Sequence, residues 1–328
     1  MSLRIIQIHA KKSEDAAVAD AIEKHKVIDN WKVGESGRKV SYHMLVETSD
    51  TQPLLDRLQT IFGKQRIIVL PVEATLPKYK QEKSEEKKPF FKGGTISREE
   101  LVDDIIKGCS LDGNFLLLVF FSTIVAAIGL LADNIAVVIG VMVIAPLLGP
   151  NLALALATAL GDRNLMIGTI KTNLIGVTMT ITLSFFIGWL WPFELSSREL
   201  LLRTDVGFDS LALALASGAA AVLSLTTGLP SVLVGVMVAV ALLPPAATFG
   251  ITLGTQEYAL AWGAGLLLAI NVVCVNIAAK LVLLFKGISP RTWYEKKKAK
   301  SSTFWSMSAW LVSLLILILA VYLYNNKG

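Results

Sequence analysis

The sequence predicts a multi-span α-helical membrane protein of about seven transmembrane helices, an inverted 3+3 repeat with discontinuous helices plus one, with an N-terminal α+β ferredoxin-like domain. Apolar residues make up 53% of the chain and charged residues 17%, and the mean hydropathy is +0.59. A water-soluble globule rarely has these values. Two stretches of eleven residues, Gly140–Pro150 and Gly235–Pro245, are identical at seven positions, and each lies in an apolar segment. Residues 1–75 instead alternate short strand-like and helix-like segments.

Residues 1–77 are predicted to form a cytoplasmic ferredoxin-like domain, because six elements follow in the order strand, helix, strand, strand, helix, strand. The predicted strands are Leu3–His9, Val27–Val33, Lys39–Thr48 and Arg66–Leu70, and the predicted helices run from Ser13, as the N-cap, to Lys26 and onward from Asp50. The segment Gly34–Gly37 is interpreted as a hairpin turn, because it lies between two strands and opens no helix. The chain opens with a strand, so no cleavable signal peptide is expected.

Neither the histidines nor the cysteines suggest a metal site. His9, His25 and His43 share no ligand spacing, and Cys109 and Cys274 are the only cysteines. We therefore expect no metal and no cofactor. The net charge of +5 comes mostly from the N-terminal region and one loop, which positive-inside topology explains without nucleic acid.

Seven segments meet or nearly meet the length of about twenty apolar residues that crosses a bilayer. They run approximately over residues 113–132, 135–160, 167–190, 210–227, 231–254, 258–284 and 304–324. The domains that follow are a charged linker and amphipathic interfacial helix at 78–110, a three-helix membrane repeat at 111–191, a second, inverted repeat at 192–285, and a basic cytoplasmic loop with a C-terminal helix at 286–328. In the interfacial helix, Ser97 and Glu100 form a capping box, and Leu101, Ile105 and Ile106 share one face.

The charges of the loops predict the topology, since Lys and Arg collect on the cytoplasmic side. Residues 286–302 carry six basic residues against one acidic residue, and residues 194–209 carry four acidic residues against two basic ones. The first loop is therefore assigned to the inside and the second to the outside. We expect a multi-pass protein of the plasma (inner) membrane with a cytoplasmic N-terminal domain and its C-terminus outside.

Matches beyond the eleven-residue stretches indicate a duplication. Ser122 corresponds to Ser217 at the same offset of 95 residues, and after a three-residue slip Asn173 aligns with Asn271. Each unit is three helices long. An odd number of crossings turns the second copy upside down, so a pseudo-two-fold axis in the membrane plane is expected.

Proline and glycine near the middle of two spans predict broken helices. Proline lacks an amide donor and clashes with the preceding turn, while glycine permits dihedrals that other residues resist. Pro146, Gly149 and Pro150 lie in the second span, and Pro244 and Pro245 lie in the fifth. If the chain unwinds there, each downstream half-helix presents free N–H groups and partial positive charge, which suits an anion or a carbonyl-bearing solute. The alternative is that the prolines kink continuous helices.

The residues predicted to bind substrate are those of the two breaks together with small polar residues of the spans. They are Pro146, Gly149, Pro150, Asn151, Pro244, Pro245, Thr248, Ser122, Ser217, Asn173 and Asn271. Lys280 lies near the cytoplasmic end of its span and is interpreted as a structural, snorkelling lysine. Because no nucleophile with a base, metal cluster or phosphate loop is present, an enzyme is not expected.

Three segments carry a resemblance to a known family. They are Val69–Pro77, the run Ala127–Asn134 that leads into Ile139–Pro150, and Gly235–Pro245. With these motifs the chain, up to about residue 285, resembles a widespread prokaryotic family of uncharacterised hydrophobic membrane proteins with a domain of unknown function. Many relatives have alanine in place of Val141. The resemblance implies a multi-span membrane domain, sometimes with a soluble head, and supplies no substrate.

Two functions are expected from the residues. The first is an integral membrane transporter or channel for a small polar, anionic solute that binds at the midplane between two inverted repeats. The alternative is a membrane-anchored sensor or scaffold whose ferredoxin-like head binds a ligand or partner. The expected partners are membrane lipids, the solute and further copies of the chain in a homo-oligomer. Alanine at Gly149 and Pro244 is expected to abolish flux while leaving folding largely intact.

Overall fold

A computed structural model describes residues 3–36, 39–63, 65–72, 75, 98–191, 197–227, 242–288 and 293–326. The chain divides into two compact units. The head unit comprises residues 1–100 with 226–228, and the membrane unit comprises residues 101–225 and 229–328.

The head is a four-stranded antiparallel sheet with two helices. Its elements are β1 (Leu3–Lys11), α1 (Asp15–Glu23), β2 (Val27–Ser36), β3 (Lys39–Glu47), α2 (Thr48–Phe62) and β4 (Ile67–Val72), with a 3-10 turn at Lys12–Glu14. The strand order across the sheet is β2-β3-β1-β4, and all three pairings are antiparallel. The element order predicted from the sequence is therefore confirmed.

Alternation along the strands positions the core of the head. Ile6 and Ile8 of β1 and Met44 of β3 are fully buried, together with Leu54 and Leu58 of α2. The residues between them on each strand point to the other side of the sheet, because successive side chains alternate faces. The sheet thus has a helix-covered face and a second face, which we call the open face.

Two details of the head differ from the sequence prediction. Ser13 is not the N-cap of α1, since it lies inside the 3-10 turn, where the Lys11 amide donates to the Glu14 carboxylate at 2.8 Å. The predicted hairpin turn is also wrong at Gly34, because β2 continues to Ser36 and Gly34 lies at a register shift of the β2–β3 pair with φ of +64°. Glycine was required there for a bulge. Gly37 lies outside the described residues.

The membrane unit is helical throughout the part of the chain that is described. Its helices are α3 (Arg98–Lys107), α4 (Gly113–Leu131), α5 (Ile135–Ile144), α6 (Leu148–Leu160), α7 (Arg163–Leu190), α8 (Arg198–Leu201), α9 (Phe208–Thr226), α10 (Leu243–Gly254), α11 (Tyr258–Phe285) and α12 (Trp293–Asn325). Five of them are long and apolar enough to cross a membrane, and α5 with α6 makes a sixth if the bent pair is one span. For the remaining predicted span, 231–254, only the part from residue 242 is described.

Two features of the membrane unit differ from the sequence prediction. Residues 293–302, expected in a basic loop, already belong to α12. In α3, Leu101 and Ile105 are buried but Ile106 is exposed, so the predicted apolar face is narrower. Ser97, the first residue of the predicted capping box, lies outside the described residues.

Short polar side chains cap the N-termini of two helices of the membrane unit. Asp112 accepts a hydrogen bond from the Phe115 amide (2.7 Å) before α4, and Asn134 accepts one from the Val137 amide (3.2 Å) before α5. Each satisfies an N–H that has no partner within its helix. Gly161, with φ of +69°, ends α6 in the left-handed conformation that glycine adopts without strain.

The helices of the two halves have matching bounds. The limits of α4 (Gly113–Leu131) and α9 (Phe208–Thr226) differ by 95 residues, as do those of α7 (Arg163–Leu190) and α11 (Tyr258–Phe285). The first residues of α6 and α10, Leu148 and Leu243, differ by the same amount.

Local geometry follows the same offset. Ser122 donates to the Val119 carbonyl at 3.1 Å, and Ser217 donates to the Ala214 carbonyl at 3.0 Å. Gly161 and Gln256 both have positive φ, at +69° and +66°. The bounds of α7 and α11 match at an offset of 95 residues, without the three-residue slip of the sequence alignment. At this offset Asn173 does not correspond to Asn271, and the segments around these two residues do not correspond either.

Candidate functional site

The first predicted break is present. Helix α5 ends at Ile144 and α6 begins at Leu148, and their axes differ by 51°. Pro146 lies between them, and because proline has no N–H, the Met142 carbonyl has no helical donor four residues later. Pro150 lies in the first turn of α6, where a missing N–H costs nothing.

The second half-helix begins in the same way. Helix α10 starts at Leu243 with Pro244 and Pro245 in its first turn, and both prolines are buried. The residues that precede it, 228–241, lie outside the described residues, so the break in this span stays a prediction.

Each half-helix packs against the last long helix of both halves. Helix α6 contacts α7 and α11, and α10 contacts the same two helices and also α4. Leu147, just before α6, and Leu243, the first residue of α10, belong to one hydrophobic cluster. The chain just before α6 and the start of α10 are therefore part of the same hydrophobic cluster.

Glycines of α10 lie directly against α7. A Cβ atom added at Gly254 would lie 2.8 Å from the Trp189 amide nitrogen, and one added at Gly250 would lie 2.6 Å from the Ser184 Cβ. Gly250 and Gly254 are four residues apart, so they share one face of α10. Small residues at this spacing let two membrane helices approach closely.

The face of α7 that is buried in the membrane unit is made only of hydroxyl residues and glycine. Its buried residues follow a spacing of three or four and are Thr169, Thr172, Gly176, Thr180, Ser184 and Gly188. Thr180 donates to the Gly176 carbonyl at 3.0 Å and lies 3.3 Å from the Thr123 hydroxyl of α4. A row of hydroxyls thus follows α7 through the interior.

Four buried polar atoms of the described membrane unit have no hydrogen-bond partner. They are Asn151 Nδ2, Ser184 Oγ, Thr248 Oγ1 and Asn276 Oδ1. All four lie on the half-helices α6 and α10 or on α7 and α11, which pack against them. Because native structures contain few such atoms, their concentration on these helices calls for an explanation.

Asn151 and Asn276 form a buried amide pair between α6 and α11. Each side chain belongs to a residue that is 1% exposed. Asn276 Nδ2 donates to Asn151 Oδ1 and also to the Val272 carbonyl at 2.8 Å. Asn151 lies in the first helical turns of α6, directly after Pro150.

Lys280 does not snorkel to the surface of the protein. It is 0% exposed, and its amino group donates to the Ser306 hydroxyl of α12. It lies four residues after Asn276, on the same face of α11.

The structure buries only part of the predicted site. Pro150 and Asn151 are buried on α6, and Pro244, Pro245 and Thr248 are buried on α10. The others differ in position: Pro146 and Gly149 are half-buried, Ser122 and Asn271 are buried on α4 and α11, and Asn173 and Ser217 are half-buried.

Gly149 has a packing role that the sequence did not indicate. A Cβ atom there would collide with the carbonyl group of Gly108, whose carbon atom would lie 2.7 Å away. The turn that ends α3 therefore lies against the first turn of α6. The expectation that Gly149→Ala preserves folding is not supported by this contact.

Sequence reasoning missed Ser184 and Thr180. Their signal was nevertheless present, since Thr172, Gly176, Thr180, Ser184 and Gly188 recur every four residues. Among the described residues, no group of three or more His, Cys, Asp or Glu side chains has a geometry that would hold a metal ion.

The open face of the head sheet carries a second polar cluster. Gln7 Nε2 lies 3.3 Å from His9 Nε2 and donates to Ser41 Oγ at 3.2 Å, and Ser41 Oγ lies 3.1 Å from His43 Nε2. Trp31 stacks on His43 with ring centroids 5.5 Å apart and planes inclined by 14°. Burial, and secondarily the nearby His9, lowers the pKa of His43 below its ordinary value.

Comparison with known proteins places this membrane unit in a wider group. Residues 142–277, which include both half-helices and the four unpartnered polar atoms, match a family model described as a domain of unknown function, DUF389. The chain is similar to the uncharacterized protein MJ0678 of Methanocaldococcus jannaschii, with 32% identity over 328 residues that cover 99% of this chain and 100% of that protein. No solved structure matches the chain.

Proposed function

The chain belongs to the DUF389 family, and we propose that it is an integral membrane transporter or channel for a small polar, anionic solute. The solute binds between the two halves of the membrane unit, beside the first turns of α6 and α10. The protein resides in the plasma (inner) membrane as a homo-oligomer, with a cytoplasmic head and the C-terminus outside.

One observation carries this proposal, namely the position of the four unpartnered polar atoms. Asn151 and Thr248 are on the half-helices, and Ser184 and Asn276 are on the helices that pack against them. A buried polar group without a hydrogen bond costs about 1–3 kcal/mol. A solute that supplies the missing partners would remove this cost, and within an apolar bundle such groups are otherwise disfavoured.

The matching helix bounds support the inverted repeat that this function requires. Helices α4, α6 and α7 have counterparts in α9, α10 and α11 that begin 95 residues later, so a chain that crosses three times per half enters its second half from the opposite side. The half-helices α6 and α10 then approach from opposite faces, and their positive N-terminal ends converge. An anion is the solute that this field favours.

Flux through reconstituted protein tests the proposal. We expect vesicles that contain the protein to take up at least one of chloride, nitrate, phosphate, acetate or glycolate faster than protein-free vesicles. Replacing Pro244 and Pro245 together by alanine restores two backbone N–H groups, which favours a continuous helix, and should lower that flux at least about tenfold. The readout is the initial rate of uptake.

Pro53→Ala is the matched control, because Pro53 is an exposed proline inside α2 of the head. It should leave the flux unchanged. Uptake no faster than in protein-free vesicles for every solute, in protein that melts cooperatively, would contradict a transport function.

A second function is supported by the open face of the head. Stacked Trp31 and His43 and the polar chain through Ser41, Gln7 and His9 form an array that is suited to bind a ligand or partner. In this alternative the head is a sensor or scaffold and the helices anchor it to the membrane.

The open face should be sensitive to pH through His43. Its pKa is lower in the folded head than the ordinary value of about 6.5, so the unfolded chain binds the proton more tightly. The neutral ring stabilises the head above about pH 6.5, and this contribution is lost as the pH falls through the folded pKa. Hydrogen exchange of β3 in the full-length protein, corrected for intrinsic rates, should therefore accelerate on acidification.

His43→Gln should remove most of this pH dependence, while His25→Gln should retain it. His25 bonds the Ala21 carbonyl at the end of α1 and has no contact with the open face. The same slope in both variants would show that His43 is not the titrating group.

A further inference from the structure

The hydrogen bonds of the buried amide pair fix the orientation of the Asn276 side-chain amide. Asn276 Nδ2 uses its two hydrogens, one for Asn151 Oδ1 and one for the Val272 carbonyl. Exchanging the nitrogen and oxygen of Asn276 would set two oxygens against each other at Val272, so the hydrogen bonds themselves determine the orientation. The pair is left with one open donor, Asn151 Nδ2, and one open acceptor, Asn276 Oδ1.

A group that fits this pair must accept one hydrogen bond and donate another. A halide, nitrate or fully deprotonated carboxylate accepts only, so it would leave Asn276 Oδ1 unsatisfied. A hydroxyl beside an oxyanion does both, because the oxyanion accepts from Asn151 Nδ2 and the hydroxyl donates to Asn276 Oδ1.

The surroundings favour negative charge on this group. Asn151 is preceded by Leu148 and Gly149, whose amides belong to the unpaired N–H groups with which every helix begins. On the partner helix, the amino group of Lys280 is buried one turn beyond Asn276.

We propose that Asn151 and Asn276 select a small oxyanion that carries a hydroxyl group, such as a hydroxycarboxylate or a hydrogen-bearing inorganic oxyanion. This inference rests on the proposed transport function and specifies its substrate class. Both residues are 1% exposed, so the solute reaches them only when α6 moves relative to α11. The break between α5 and α6 provides the hinge for that motion.

Glycolate and acetate test the proposal without any substitution, because they differ by one hydroxyl group. Proteoliposomes of the full-length protein should take up glycolate about ten times faster than acetate, since a site built to bond a hydroxyl rejects the analogue that lacks it. Equal uptake of the two would overturn the inference and leave the transport function in place. Uptake of neither them nor any other solute would contradict the transport function itself.

Asn276→Leu tests whether the amide pair causes the preference for glycolate over acetate. This variant removes the acceptor and should bring the glycolate rate down to the acetate rate. The matched control is Asn164→Leu, at an exposed asparagine in the first turn of α7. It should keep the preference for glycolate of about tenfold. An unchanged preference in Asn276→Leu would mean that only a water molecule occupies the pair, and the inference would be wrong.

Discussion

Gly149→Ala is expected to lower the free energy of unfolding of the membrane unit by about 3 kcal/mol, at the upper end of the range for overpacking a close contact. The added Cβ would collide with the carbonyl group of Gly108. Relief requires a backbone shift, either of the turn that ends α3 or of the first turn of α6, because neither glycine has a side chain that can rotate away.

Gly140→Ala is the matched control. Gly140 belongs to the same repeated motif and lies within α5, but a Cβ atom there would meet nothing within 4 Å. Alanine should stabilise this helix by about 0.5–1 kcal/mol because glycine is a poor helix former. Unfolding in detergent, followed by tryptophan fluorescence, compares the two variants. Equal stability would mean that α3 and α6 do not meet at Gly108 and Gly149.

The predicted collision at Gly149 affects how a loss of flux in Gly149→Ala is interpreted. Loss of flux in Gly149→Ala would follow from the steric collision whether or not the first turn of α6 binds a solute. The prolines of α10 are better probes, since their replacement adds no atom where a backbone already lies.

The first break was predictable because the effects of proline are local. Pro146 disfavours helical dihedrals in the residue before it, and Ala145 is extended, with φ of −66° and ψ of 119°. The spans were equally predictable, since their hydropathy depends on composition over about twenty residues. Six of the seven predicted spans accordingly appear among the described residues, one of them as the bent pair.

Other features depended on choices that local sequence leaves open. Gly34 signals a positive φ, which both a turn and a bulge require, and pairing with β3 selected the bulge. Residues 296–300 indicated the cytoplasmic side through their charge, but lysine and alanine are also good helix formers. Helix α12 therefore begins earlier than its apolar run.

The partner of Asn151 was beyond sequence reasoning. Asn276 lies 125 residues away, and nothing in either apolar span indicates which of several asparagines faces which. The row of hydroxyls on α7 was different in kind, because its four-residue period is visible in the sequence. Mean hydropathy over a span does not register the period of its polar residues, so the row was not predicted.

The amide pair should give a non-additive loss of stability. Asn276→Leu leaves both the Nδ2 and the Oδ1 of Asn151 without a partner in an apolar interior, and should lower the free energy of unfolding by about 2 kcal/mol. Asn151→Leu should cost less, because Asn276 Nδ2 keeps its bond to the Val272 carbonyl.

The double variant Asn151→Leu with Asn276→Leu tests whether the pair acts as a unit. It removes both amides, so no orphaned group remains between α6 and α11, and the two losses should combine to less than their sum by about 1 kcal/mol. A matched cycle with Asn173→Leu and Asn276→Leu should be additive, since Asn173 is half-buried on α7 and outside the pair. Additivity in the first cycle would mean that the two amides do not interact, and the selectivity inferred for them would lose its structural basis.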